Sequence, residues 1–234
     1  MSWLLLDGIV VVIFLYFICT YVHRGFVQSI IRFIGSVAAV VAACIASRVL
    51  STLVYSALIR EKLIEQVQQL GSMQAVQSID EAISHLPGIL ANLLYFTYGE
   101  DLPSQVEAYL ASSGSVTDIA TRIVDDLFQP ILVGLISVLL FVGLLIVLML
   151  VVRLVARTFQ GVNNLPVIGS INMLLGGLVG LLMGLLVMYV VTMLSGYVTA
   201  LTNNTGFLLN EKTIEQTYLF RYIAAFNPLQ LILF

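Results

Sequence analysis

The sequence predicts an all-α integral membrane protein: four transmembrane helices, with an extracytoplasmic helical segment between the second and third. Three observations lead there. Of 234 residues, 60% are hydrophobic and only 10% are charged, against about 25% charged in an ordinary soluble domain. The mean hydropathy is +1.05. Four separate apolar runs also reach the ~20 residues that a helix needs to cross a hydrocarbon core. A water-soluble fold could not cover that much apolar surface with so few charges. The composition therefore excludes a soluble enzyme, a nucleic-acid binder and a disordered chain. The net charge of −3 gives no basic footprint for nucleic acid. Cys19 and Cys44 both lie inside apolar runs, which argues against a disulfide framework.

Residues 1–50 read as a hairpin of two spans. The first runs from Trp3 to Val22 and is interrupted by Asp7. It lacks a basic leader and is longer than a signal-peptide core, so it reads as an uncleaved helix with Trp3 at the interface. The second runs from Phe26 to Val49, with Arg32 near its start and Arg48 near its end.

Residues 51–130 read as amphipathic helices, either a cap over the bundle or a surface for a partner. Ile59, Leu63, Val67 and Leu70 recur at helical spacing, as do Val76, Ile79, Ile83 and Leu86 until Pro87-Gly88. Asp101 and Pro103 are expected to open another helix. Ile119, Ile123 and Leu127 then share a face, and Pro130 is expected to bend the chain into the third span.

Residues 131–198 hold spans three and four. Ile131 to Val152 carries no charge, and Ile171 to Val191 extends toward Val198. In the fourth span Gly176, Gly180 and Gly184 repeat every four residues, with Gly177 beside them. Such a small-residue ridge lets two helices approach closely. The contact is expected either within the chain or between subunits. Gly161 and Gly169 flank a turn at Asn163-Asn164-Leu165-Pro166. Residues 199–234 read as an extracytoplasmic tail. Thr213 with Gln216 resembles a capping box, followed by an interfacial stripe of Tyr218, Tyr222 and Phe226. The tail ends in Phe226-Asn227-Pro228-Leu229 and further apolar residues.

Charge sets the expected orientation. Arg24, Arg32, Arg153 and Arg157 lie in or beside the two short loops, while the long segment contains Arg60, Lys62 and Arg122 and is bordered by Arg48. The positive-inside rule applies best to short loops. This places loops 23–26 and 153–170 in the cytoplasm and both termini outside.

Residues able to carry chemistry are few. His23 and His85 are the only histidines, so no HExxH zinc motif exists. Ser195 has Met193 two positions before it, which breaks the GxSxG pattern. There is no Walker loop, and Asp7 is the only acid within a span. No catalytic residue, cofactor or metal site is therefore expected. Asp7 near the outer end of span one has two readings: an acid that reaches the interface, or half of an intramembrane pair with Arg48 at similar depth. Arg24 and Arg32 read as topology anchors that contact anionic headgroups.

Taken together, Asp7, the stretch Arg24-Gly25-Phe26-Val27 opening span two, and Leu175-Gly176 followed by Gly180 and Gly184 resemble the colicin V production protein (CvpA) family of bacterial inner-membrane proteins. A third span ending in Arg153 and Arg157 also fits, and the resemblance covers all four spans. Two positions depart from it. Family members often carry an Asp-Arg pair where this chain has Asn172-Met173, and a basic residue where it has Met183. The resemblance implies a bacterial cytoplasmic membrane and a link to toxin production or export and envelope homeostasis.

Three functions compete. One is an accessory or scaffold protein, whose partners are the bilayer and either its own copies or another membrane protein. Another is a small oligomeric channel or transporter, with Asp7, Thr20, Ser29, Arg32, Ser36, Ser47 and Asn172 as its polar path. The last is a sensor reading a ligand through residues 51–130.

Overall fold

A computed structural model describes residues 2–72, 94, 97–102, 104, 108, 115–158, 169–202 and 204–226. Among these the chain is helical. Helix α1 spans Ser2–Arg24 and α2 spans Phe26–Val54. A π-helical turn, Tyr55–Ile59, leads into α3 at Arg60–Ser72. A 3₁₀ turn follows at Gly99–Asp101. Helix α4, Val116–Ile123, passes through a second π turn, Val124–Phe128, into α5 at Gln129–Thr158. Helix α6 spans Gly169–Leu201, and the tail carries α7 at Glu211–Gln216 and α8 at Leu219–Ala225. Among the described residues four helices are long and apolar enough to cross a membrane, in the four places the apolar runs predict. The protein is an all-α multi-pass membrane protein. Large apolar side chains such as Val12, Leu154 and Leu174 stand 65%, 65% and 72% exposed. That surface suits lipid and would be a liability in water.

Contacts group the chain into two compact units. One comprises residues 1–46, 141–199 and 204–234; the other comprises 47–140 and 200–203.

In the first unit, α1, the early part of α2, the later part of α5 and α6 pack around three apolar clusters. Val40, Ala43, Cys44, Phe141 and Met193 form one, and Tyr21, Val179 and Met183 another. The third joins Leu6, Val10 and Met188 to Phe220 of the tail. Both cysteines are free thiols.

In the second unit, α3 packs against α4 around Tyr55, Leu94, Leu102, Val124 and Leu127, with Ile59, Leu63, Val67 and Ile119 against them. The two π turns share this core. The Tyr55 hydroxyl donates to the Val124 carbonyl at 3.3 Å. The Arg60 guanidinium grips Asp125 with two hydrogen bonds, at 2.8 and 2.6 Å.

Pro130, expected to bend the chain into the third span, stands within a continuous helical stretch. It sits at the second position of α5, directly after the π turn. Having no N–H, proline leaves the carbonyl four residues back without its usual donor. The Tyr98 hydroxyl donates to that Asp126 carbonyl at 3.1 Å. Burial, with Asp126 nearby, pushes the Tyr98 hydroxyl pKa up, so it stays protonated as a donor.

Two capping assignments also change. Asn210, not Thr213, caps α7; its side chain accepts from the Thr213 N–H, and Thr213 is the third residue of that helix. Ser115 and Asp118 form a reciprocal capping box at α4 that the sequence reading passed over. Asp101 lies in the 3₁₀ turn, and its carbonyl accepts from Ser104. The repeat Val76, Ile79, Ile83 and Leu86, Pro87-Gly88, Pro103, the turn at 163–166 and the segment from Asn227 onward lie outside the described residues.

Candidate functional site

The first unit has three features with chemical content: a latch at one end of α1, a glycine seam along it, and a basic pocket at its other end.

The latch is built on Asp7. Its carboxylate accepts backbone N–H groups from Tyr218 at 2.8 Å, Leu219 at 3.0 Å and Phe220 at 3.2 Å. One of the two sequence readings paired it with Arg48; the partners found are the Tyr218 N–H, just before α8, and the first two amides of α8. A helix N-terminus presents unsatisfied N–H groups and a partial positive charge, so a carboxylate satisfies both. Around it the Ser2 and Thr213 hydroxyls meet at 3.1 Å, and the Trp3 and Tyr218 rings meet edge to face at 6.1 Å. Arg48 lies in the second unit, where its carbonyl accepts from Ser51 and Thr52.

The seam lies between α6 and α1. A Cβ on Gly176 would fall 2.6 Å from the Tyr21 carbonyl oxygen, and one on Gly180 2.6 Å from that of Phe17. One on Gly177 would meet Val22, and one on Gly184 the Phe14 ring. The ridge therefore rests on α1 of the same chain, backbone against backbone at Gly176 and Gly180.

The turn into α2 is fitted to the seam. Gly25 has φ +79°, a left-handed conformation that side chains disfavour. A Cβ there would also lie 2.6 Å from the Asn172 amide nitrogen. Asn172 Oδ1 accepts the Phe26 N–H at 2.7 Å. The Ser29 hydroxyl donates to the Tyr21 carbonyl at 3.3 Å. In Arg24-Gly25-Phe26-Val27, then, Gly25 makes the turn and Phe26 anchors it, while Val27 is exposed.

The pocket has a volume of about 620 Å³. Each of four helices contributes residues four apart, which share one helix face. Helix α1 supplies Tyr16, Thr20 and Arg24, with Phe17 and Tyr21 beside them, and α2 supplies Arg32 and Ser36. Helix α5 supplies Met149, Arg153 and Arg157, with Val152, and α6 supplies Met183 and Val187. Four of the chain's eight arginines thus meet at one cavity. The Arg24 guanidinium stacks over the Tyr21 ring at 5.5 Å. Arg32 lies six residues into α2, about 9 Å from its start at 1.5 Å per residue. Its Nε is buried and has no hydrogen-bond partner among the described residues, an arrangement that costs roughly 1–3 kcal/mol or more for a charged group.

Sequence reading named Arg24, Arg32, Arg153 and Arg157 as topology markers, with Arg32 also in a polar path and the others in the family resemblance, and missed the convergence of all four. The four-residue stripes Tyr16-Thr20-Arg24, Arg32-Ser36 and Met149-Arg153-Arg157 were the available signal. Asn172 was named as a departure from the family pattern and as part of a polar path; its role at the Gly25-Phe26 turn was missed.

A model of the colicin V production protein family matches residues 79–228, more than half of the chain. The chain belongs to that family. The match includes the glycine seam, Asn172, Arg153, Arg157 and the tail residues that hold Asp7. The sequence resemblance was expected over all four spans; Asp7 and Arg24-Gly25-Phe26-Val27 precede the matched residues, and Asp7, Gly25 and Phe26 meet residues within them. No curated protein and no solved structure matches this family member.

Proposed function

We propose that this colicin V production family member is a non-enzymatic accessory protein of the bacterial cytoplasmic membrane, supporting peptide-toxin production or export and envelope upkeep. Family membership supports the process. The accessory role rests on where the polar side chains of the first unit go. Asp7 is occupied by the tail, and Ser29 and Asn172 are hydrogen-bonded at the α1–α2 turn. Only Thr20, Arg32 and Ser36 of the expected polar path share the pocket. Apolar clusters fill the bundle elsewhere. Such a bundle offers partners its apolar helix faces rather than a conduit for a solute. In this reading loops 23–26 and 153–170 face the cytoplasm and both termini lie outside.

The test is reconstitution. Purified full-length protein in liposomes is expected to pass phosphate, potassium and protons no faster than empty liposomes do. Flux above that background would sink the accessory reading in favour of an oligomeric channel.

A further inference from the structure

The arginine pocket concentrates positive charge. Among the described residues its wall holds four guanidiniums and no carboxylate. The chain cannot supply one from the stretches that build it, because no Asp or Glu occurs between Asp7 and Glu61 or between Asp126 and Glu211. Asp7 is held by the tail amides. Topology anchoring alone asks only that basic residues reach the headgroup layer. It does not ask that they converge on one cavity, nor that Arg32 sit inside a span with its Nε buried and unpartnered among the described residues.

We propose that this pocket binds a phosphate-bearing anion. All four cations are arginines, and the chain's two lysines, Lys62 and Lys212, are not among its lining residues. The planar guanidinium fork matches phosphate oxygens in pairs and is less strongly hydrated than an ammonium. A phosphate monoester carries up to two negative charges, which suits several arginines better than a single carboxylate does. Thr20, Ser36 and two tyrosines also line the wall, and Phe17, Met149, Val152, Met183 and Val187 give it an apolar portion. That combination suits an amphiphile, with its phosphate among the arginines and its hydrocarbon against the apolar wall. A soluble phosphate compound would use the same arginines without the apolar wall. The site does not depend on the accessory reading, since a channel could carry it equally well.

The experiment uses the full chain in mild detergent. Native mass spectrometry would compare retention of phosphatidic acid with that of a diacylglycerol of the same acyl chains. A parallel thermal-unfolding series would add inorganic phosphate, with chloride as control. Selective retention of phosphatidic acid is expected. It should fall about five-fold in Arg32→Gln and again in Arg157→Gln, the size of effect that one arginine has on anionic lipid binding. Arg221→Gln, on the tail, should leave it unchanged. Arg157 is in the last turn of α5, so that variant keeps the test valid if Arg32→Gln fails to fold. Stabilisation by phosphate without lipid selectivity would support the site with a soluble ligand. Equal retention of both lipids together with no response to phosphate would overturn the proposal, as would full retention in both arginine variants.

Discussion

At the scale of single residues, charge in this chain is placed rather than scattered. Asp7 sits within a span and would be unfavourable there alone, by up to about 3 kcal/mol at the centre of a bilayer. The N–H groups of Tyr218, Leu219 and Phe220 meet it, and hydrogen bonds to a charged group contribute about 1.5–3 kcal/mol. Asp7→Ala is therefore expected to release the tail at a cost of about that size. Trp3 is the chain's single tryptophan and touches Tyr218, so its emission reports the latch. The variant should shift Trp3 emission and expose the tail to protease, and unchanged emission with an intact tail would contradict the latch. The sequence showed Asp7 to be unusual but could not reveal its partner. Backbone amides carry no side-chain signature, and the donors lie 211 to 213 residues away. Arg48 looked plausible because depth in the membrane is legible in sequence, whereas which groups face each other is not. The arginines show the same limit. Their four-residue stripes mark faces, but only the packing of four helices shows that the faces look onto one cavity.

At the scale of elements, the decisive feature is how closely α6 approaches α1. Gly180 has no room for a methyl group: the Phe17 carbonyl and the Ile18 Cα lie 2.6 and 2.9 Å from where it would stand. Those atoms are backbone and cannot step aside. Gly184 meets the Phe14 ring instead, which can rotate. Gly143 has nothing within 4 Å. Overpacking costs about 1–3 kcal/mol, while Gly→Ala in an open helix gains up to about 1 kcal/mol. Unfolding in mixed micelles should therefore rank Gly180→Ala least stable, Gly184→Ala intermediate, and Gly143→Ala equal to or above the parent. A neutral Gly180→Ala would contradict the seam. The ridge was legible because spacing by four is a one-dimensional pattern. The π turns at 55–59 and 124–128 were not, since their extra residue is absorbed by neighbours distant in sequence, Tyr55 reaching Val124 and Tyr98 reaching Asp126. Pro130 marked this junction but not the π turn before it, for the same reason.

At the scale of the whole molecule, composition alone was enough to establish a membrane protein, because 10% charged residues cannot clothe 234 residues in water. The four spans followed from the length of the apolar runs, and the family resemblance from a few residues in and at the ends of them. What the chain does with its exterior is a property of surfaces, and surfaces are built from residues far apart in sequence. Leu154 on α5 and Leu174 on α6 stand among the most exposed apolar side chains of the first unit, where lipid or a partner must cover them. The accessory reading requires that some of this exterior meet another protein. Photoreactive residues placed at 154 and 174, at native expression level and in intact membranes, test that requirement most directly. The account predicts capture of one defined membrane protein of another kind, in fixed proportion, from at least one of the two positions. Capture of lipid and of the chain's own copies alone, from both positions, would contradict it.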